Sequence, residues 1–258
     1  PRLRGDADGH PLAAPASPAP MSEPLEDYLE TIYLLVQEHG FARVKEIARA
    51  RDVKAATVSI ALRKLSEGGF VNYVRREYIG LTEKGEEAAR RVLTRHRLLT
   101  RFFEEVLGMS PKAASEQACS MEHALTDEAM DRMVRFFEFL GTCPSDVKAF
   151  GQCPAVSRPG DVEPCGTASP ECARCTLAPK EKSMSIASLK PGQSGVVTQI
   201  TATGALRQRL LDMGILPATT IDVERSGPGG HPLWIRCQGA RLALRRAEAS
   251  SVLVRDPS

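Results

Sequence analysis

The chain has 258 residues, 42% hydrophobic and 26% charged, which is enough for more than one packed core. No apolar run approaches the roughly 20 residues of a membrane-spanning helix, so a helical membrane protein is excluded and no membrane partner is expected. The net charge of +2 hides a segregation: residues 43–101 hold fifteen Lys/Arg against seven Asp/Glu, residues 21–42 hold five acids and no base, and residues 102–142 hold eight acids against three bases. A basic middle between acidic flanks suits one surface for a polyanion and another for a cation.

Residues 1–20 are rich in Pro and Ala and lack the apolar core of a signal peptide, so they are expected to be a disordered extension, and a cytoplasmic location follows by default. Residues 21–85 read as a DNA-binding unit. Leu25, Leu29, Ile32 and Val36 form a helical stripe ending at Gly40. A short helix over about 44–51, a turn at 52–54 and a second helix over 55–67, stopped by Gly68 and Gly69, come next. The β-branched and aromatic residues of FVNYVRREYIGLT then suit a two-stranded ribbon.

Two short helices, a tight turn and a ribbon make the layout of a winged helix-turn-helix, whose second helix enters the major groove of double-stranded DNA. Lys54, Ala55, Ala56, Thr57, Ser59 and Ile60 would head that helix, where small side chains permit close approach to base edges and hydroxyls reach phosphates. Arg63 and Lys64 one turn later, and Arg75 and Arg76 on the ribbon, add charge. No Arg or Gln heads the helix for a bidentate base contact, so apolar contact and DNA shape are expected to carry the readout.

Residues 86–142 read as helical. One long helix carries Val92, His96, Leu99, Phe103 and Val106, and another, begun by Pro111, carries Cys119, Glu122 and His123 as C-x-x-E-H. At helical spacing these three share a face, and a thiolate, a carboxylate and an imidazole together suit iron(II), manganese or zinc. A helix running on would align them with Met130, Met133, Val134 and Phe137, where unpartnered Glu and His would cost several kcal/mol; a cap at Thr126-Asp127 would reset that phase. By spacing alone, His96 falls on an apolar face and Asp27 and Glu30 on a solvated one. The stripe Met130, Met133, Phe136, Phe137 and Leu140 is either core or a dimer contact.

Residues 143–183 form a Cys-rich linker in which Cys143, Cys153, Cys165, Cys172 and Cys175 are spaced C-x9-C-x11-C-x6-C-x2-C. That pattern points to zinc, an iron–sulfur cluster or reduced thiols rather than structural disulfides. Residues 184–258 are β-rich, with strands expected in SGVVTQI, TIDVERS, LWIRCQG and ARLALRRAEASSVLV, one helix at ALRQRLLDMG, and Cys237 as core. Short strands so close together suggest a small barrel.

EDYLETIYLL, ATVSIALRKLSEGGFV, GLTEKG, RHRLL and EHALTDE, in this order across residues 22–142, resemble the diphtheria-toxin-repressor and manganese-transport-regulator family of metal-dependent repressors. The resemblance implies that Asp27, Glu30, His96, Glu122 and His123 bind metal as in the manganese-sensing branch, with Cys119 matching the thiol of the iron-sensing branch. Thr100 and Ser115 stand where that branch has further ligands, and Asp27 where it has methionine. SLKPGQSGVV, LRQRLLDMGILPATTIDV and LALRRAEASSVLV resemble the SH3-like FeoA domain of ferrous-iron transport systems.

The expectation is an α+β multidomain chain: winged helix-turn-helix, helical metal-binding and dimerisation domain, Cys-rich linker, and C-terminal SH3-like small β-barrel. The expected function is a homodimeric regulator that binds operator DNA in response to iron(II) or manganese(II), as a repressor of metal uptake. The alternatives are an adaptor of a ferrous-iron transporter acting through residues 184–258, and an enzyme using Cys119 with His123.

Overall fold

A computed structural model of the protein describes residues 21–73, 78–142 and 183–256. Helix α1 (Glu23–His39) has Pro24 in its first turn and ends at Gly40, whose φ of 79° lets its N–H reach the Val36 carbonyl. Helices α2 (Val44–Ala50) and α3 (Ala55–Glu67) are joined by a turn in which Asp52 is left-handed, φ 51°. Strands β1 (Val71–Asn72) and β2 (Gly80–Leu81) pair antiparallel as the base of a wing. Leu29 and Ile32 of α1 share one core with Ile47, Val58, Leu62, Leu65 and Ile79. Arg75 and Arg76, like all five linker cysteines, lie outside the described residues.

Thr82 caps helix α4 (Glu83–Arg101) by accepting from the Gly85 N–H at 3.1 Å. This helix crosses the boundary expected at residue 85 and ends in a π-helical turn, Phe102–Val106. Helix α5 (Pro111–Met121) is capped by Ser110 and passes into a 3-10 turn, Glu122–Ala124, before α6 (Asp127–Thr142). The continuous helix that would have joined Cys119 to Met130 is therefore absent. The change to 3-10 geometry at Glu122 and the Thr126 cap of the next helix, which accepts from the Ala129 N–H at 3.2 Å, reset the phase.

The C-terminal region is a six-stranded antiparallel sheet in the order β3-β8-β4-β5-β6-β7. Its strands are β3 (Met184–Ser185), β4 (Ser194–Ile200), β5 (Thr220–Ser226), β6 (Leu233–Cys237), β7 (Ala240–Leu244) and β8 (Val252–Arg255), with helix α7 (Gly204–Asp212) after β4. The segment expected as one strand over 240–254 is instead β7, a five-residue helix α8 (Arg246–Ser250) and β8. Glu248 closes that helix by accepting from the Arg245 N–H at 2.6 Å, which diverts the chain from extended pairing. Register shifts at Val197/Gln199 and Val223/Arg225 let the sheet curl.

The sheet does not stand apart from the helices. Met130, Val134 and Phe137 of α6 and Leu98 of α4 belong to the same core as Ile200, Leu210, Ile235 and Val254. The stripe held open as core or dimer contact is thus largely core, with only Leu140 exposed. Arg207 of α7, 3% exposed, bonds Asp131 and Glu138 of α6 and donates to the Ile200 carbonyl. Glu138 also accepts from the Ile200 N–H at 2.9 Å.

Two substitutions probe this frame. A Cβ at Gly85 would lie 1.9 Å from the Phe70 carbonyl oxygen, so Gly85→Ala is expected to lower unfolding free energy by about 3 kcal/mol in denaturant titration. Arg207→Ala removes the guanidinium bonded to the buried Glu138 and is expected to cost about 3–5 kcal/mol in the same measurement.

Candidate metal centre

The acids of α1 recur at positions 23, 26, 27 and 30, one stripe of the helix beside its apolar face. Residues 26, 27 and 30 are partly buried, because the stripe faces α4 and the 122–124 turn rather than solvent. One ligand atom each from Asp27, Glu122 and His123 lies within 4.8 Å of the others. Glu122 is 1% exposed; its Oε2 meets His96 Nδ1 at 2.6 Å, and its Oε1 is buried with no hydrogen-bond partner. His123 Nε2 lies 3.6 Å from Oε1.

His123 is held from both sides, Nδ1 by Glu26 Oε2 at 2.7 Å and Nε2 by Asp27 Oδ1 at 2.9 Å. Ionised carboxylates facing both ring nitrogens favour the protonated imidazole, which donates to each. Burial opposes that charge, but the bonds to Glu26 and Asp27 outweigh it and raise the His123 pKa. The hydrogen bond that His96 donates to Glu122 likewise raises His96 against desolvation. Glu30 is raised by burial and by the nearby charges of Glu122 and Asp27, which puts it electrostatically in the same cluster.

Cys119 stands apart from the close group of three. It is an exposed residue whose thiol is pushed up by desolvation and then by the carboxylates of Glu122, Asp27 and Glu30. It neighbours the cluster as a protonated thiol, and His123, with both nitrogens engaged, cannot serve as its base. Among the further ligand positions of the iron branch, Ser115 Oγ lies 3.3 Å from His96 Nε2, while Thr100 Oγ1 is buried and unpartnered.

Three site neighbours escaped the sequence reading: Glu26, Ser115 as a partner of His96, and Arg51, which bonds Asp27 Oδ2 at 2.5 Å. The i, i+3, i+4, i+7 acidic stripe contains Glu26 and could have revealed it; nothing local marks Arg51. The donor set fits a divalent transition-metal cation, since carboxylate and imidazole groups gather around a buried carboxylate oxygen that lacks a hydrogen-bond partner.

The recognition helix presents Lys54, Ala55, Ala56, Thr57, Ile60, Arg63 and Lys64 outward, Ile60 being 55% exposed, while Val58, Ala61, Leu62 and Leu65 are buried. Ser59 Oγ donates to the Ala55 carbonyl at 3.0 Å. At the base of the wing the exposed Arg43 guanidinium lies 4.9 Å from the Phe41 ring and 4.8 Å from that of Tyr78, a basic position absent from the sequence reading.

The pKa directions have a consequence for stability. His96 and His123 bind protons more tightly folded than at their ordinary 6.5, so the stabilisation from their protonated forms is complete below pH 6.5 and is lost as pH rises through the raised values. Metal-free protein melted in chelator is expected to show a falling midpoint as pH rises above 6.5; a midpoint that rises over that range contradicts the assignment.

Comparison with known proteins bears on all three regions. Residues 20–79 match the family model "Iron dependent repressor, N-terminal DNA binding domain", residues 82–150 "Iron dependent repressor, metal binding and dimerisation domain", and residues 184–256 "FeoA domain". The chain is 43% identical over 121 residues to an uncharacterized HTH-type transcriptional regulator of Methanocaldococcus jannaschii, covering 46% of this chain and 95% of that protein. It is 34% identical over 117 residues to the HTH-type transcriptional regulator MntR of Shouchella clausii, covering 44% and 81% respectively. Among solved structures it is similar to T. acidophilum IdeR, with 22% identity, a TM-score of 0.41, and coverage of 90% of this chain and 97% of that one. Among the described residues no helix is long and apolar enough to cross a membrane. With a winged helix-turn-helix, a carboxylate–imidazole cluster behind it and these relatives, the chain belongs to the iron-dependent repressor family of metal-dependent, DNA-binding transcriptional regulators, which are not enzymes, and carries a C-terminal FeoA domain.

Proposed function

We propose that Asp27, Glu30, His96, Glu122 and His123, with Cys119 at the rim, hold iron(II) or manganese(II), and that this site governs operator binding by a cytoplasmic homodimer. The observation that carries the reading is Glu122 Oε1, a buried carboxylate oxygen without a hydrogen-bond partner beside Asp27 and His123. When bound, such an ion supplies positive charge to a cluster of three carboxylates. Asp27 and Glu30 belong to α1, His96 to α4, and Glu122 and His123 to the turn after α5, so ligation ties three segments together. His123 must give up the Nε2 proton it shares with Asp27 to act as a ligand through that nitrogen, which makes metal affinity rise with pH.

Because α1 and α3 share a core, fixing α1 constrains the recognition helices of the two protomers, which must match successive major grooves about 34 Å apart. Lys54, Ala55, Ala56, Thr57, Ser59 and Ile60 meet the groove; Arg63, Lys64, Arg75 and Arg76, joined by Arg43, meet phosphate. Resemblance supports repression of metal-uptake genes as the output.

The test is an anaerobic DNA-binding titration on the region upstream of the protein's own gene, with iron(II), manganese(II), zinc or chelator, run beside His123→Ala. Metal-dependent affinity that the substitution abolishes is the expected outcome. Affinity indifferent to both metal and substitution overturns the switch, and no operator affinity at any metal concentration moves the reading to a transporter adaptor.

A further inference from the structure

The two oxygens of Asp27 face different parts of the molecule. Oδ1 accepts from His123 Nε2 at 2.9 Å, inside the ligand cluster, while Oδ2 is held by Arg51 Nη2 at 2.5 Å. Arg51 is the C-cap of α2, and the left-handed Asp52 follows it, so its backbone belongs to the turn that launches α3. The Val53 N–H closes the same turn onto the Ala48 carbonyl at 3.0 Å. The guanidinium also lies 5.7 Å from the ring of Tyr28, itself in the core shared by α1 and α3. Side-chain exposure is 30% for Arg51 and 19% for Asp27, so the pair is shielded from solvent more than a surface ion pair.

Arg51, Asp27 and His123 therefore form one continuous chain of charge-assisted hydrogen bonds from the helix-turn-helix turn into the ligand cluster. A carboxylate can serve partners on both oxygens at once, so Asp27 can act toward the cluster through Oδ1 without releasing Arg51. Displacing or anchoring Asp27 shifts the charge partner of Arg51, and with it the turn that sets the start of the recognition helix.

We propose that Arg51 is a positioning residue that transmits the state of the ligand cluster to the recognition helix through Asp27. This rests on the metal-switch reading above. Coupling between metal and DNA is then carried in part by a side chain that touches neither, and the loss of that side chain weakens the coupling without removing a ligand.

The test uses the full chain as wild type, Arg51→Leu and Arg51→Lys, with manganese(II) as the probe. Three quantities are measured: manganese affinity without DNA, affinity for the upstream fragment with manganese and with chelator, and the melting midpoint in chelator. For Arg51→Leu, the manganese-dependent gain in DNA affinity is expected to fall about tenfold or more at saturating manganese, over and above any change in manganese affinity measured without DNA. The tightening of manganese binding by DNA must fall by the same factor, since the coupling is reciprocal. Arg51→Lys keeps the charge with one donor group in place of the fork, and is expected to recover part of the gain.

A wild type with a metal-dependent gain that Arg51→Leu retains in full overturns this inference and leaves the metal switch standing. A wild type without any metal-dependent gain overturns the switch itself. Loss of the gain together with a collapsed melting transition in both variants marks Arg51 as structural support, which also overturns the inference.

Discussion

The helical half of the molecule is organised around the burial of Glu122. A carboxylate removed from water needs compensating positive charge or donors, and this one has two histidines beside it, one on another helix and one next in the chain. His96 reaches it from α4, and His123 follows it in the chain and is clamped by two acids of α1. Removing water from that spot forces α1, α4 and the turn after α5 to converge, and the convergence leaves Oε1 without a hydrogen-bond partner. The same convergence makes the site sensitive to protons, because its two histidines hold theirs above the ordinary range.

Helix α1 joins that cluster to the core shared with α3. One of its faces carries Glu26, Asp27 and Glu30 toward the cluster, and the other carries Leu29 and Ile32 into the core that also holds Val58 and Leu62 of α3. A packed core transmits displacement because it has few voids to absorb it. Helix α3 buries one face in that core and leaves its small and basic residues outward.

The FeoA-like sheet is coupled to the same frame from the far side. Its core continues into α6 and α4, and Arg207 bridges Asp131 and Glu138 across the junction. Met130, Val134 and Phe137 are packed into the core of the sheet. Arg101 adds a bond from the end of α4 to the Pro217 carbonyl at 2.7 Å.

Much of this was legible in the sequence where period and composition act locally. The stripe of α1, the limits of α3 at Ala55 and Glu67, the strands Ser194–Ile200 and Thr220–Ser226, and the C-x-x-E-H spacing all follow from patterns within a dozen residues. Local reading left the helical phase after Glu122 open, with the Thr126 cap as one alternative, and failed where five helix-forming residues interrupted a run that looked extended, at Arg246–Ser250. It also took the acids of α1 for a solvated face, since spacing says which side a residue is on and not what lies there. The sequence by itself determined the winged helix-turn-helix, the C-x-x-E-H residues at the end of α5 and a β-rich C-terminal unit. Only the tertiary structure decided that Arg51 meets Asp27, that Glu26 holds His123 and that α6 belongs to the sheet's core. Those pairings join segments 24, 97 and 62 or more residues apart, and packing, not periodicity, brings such segments together.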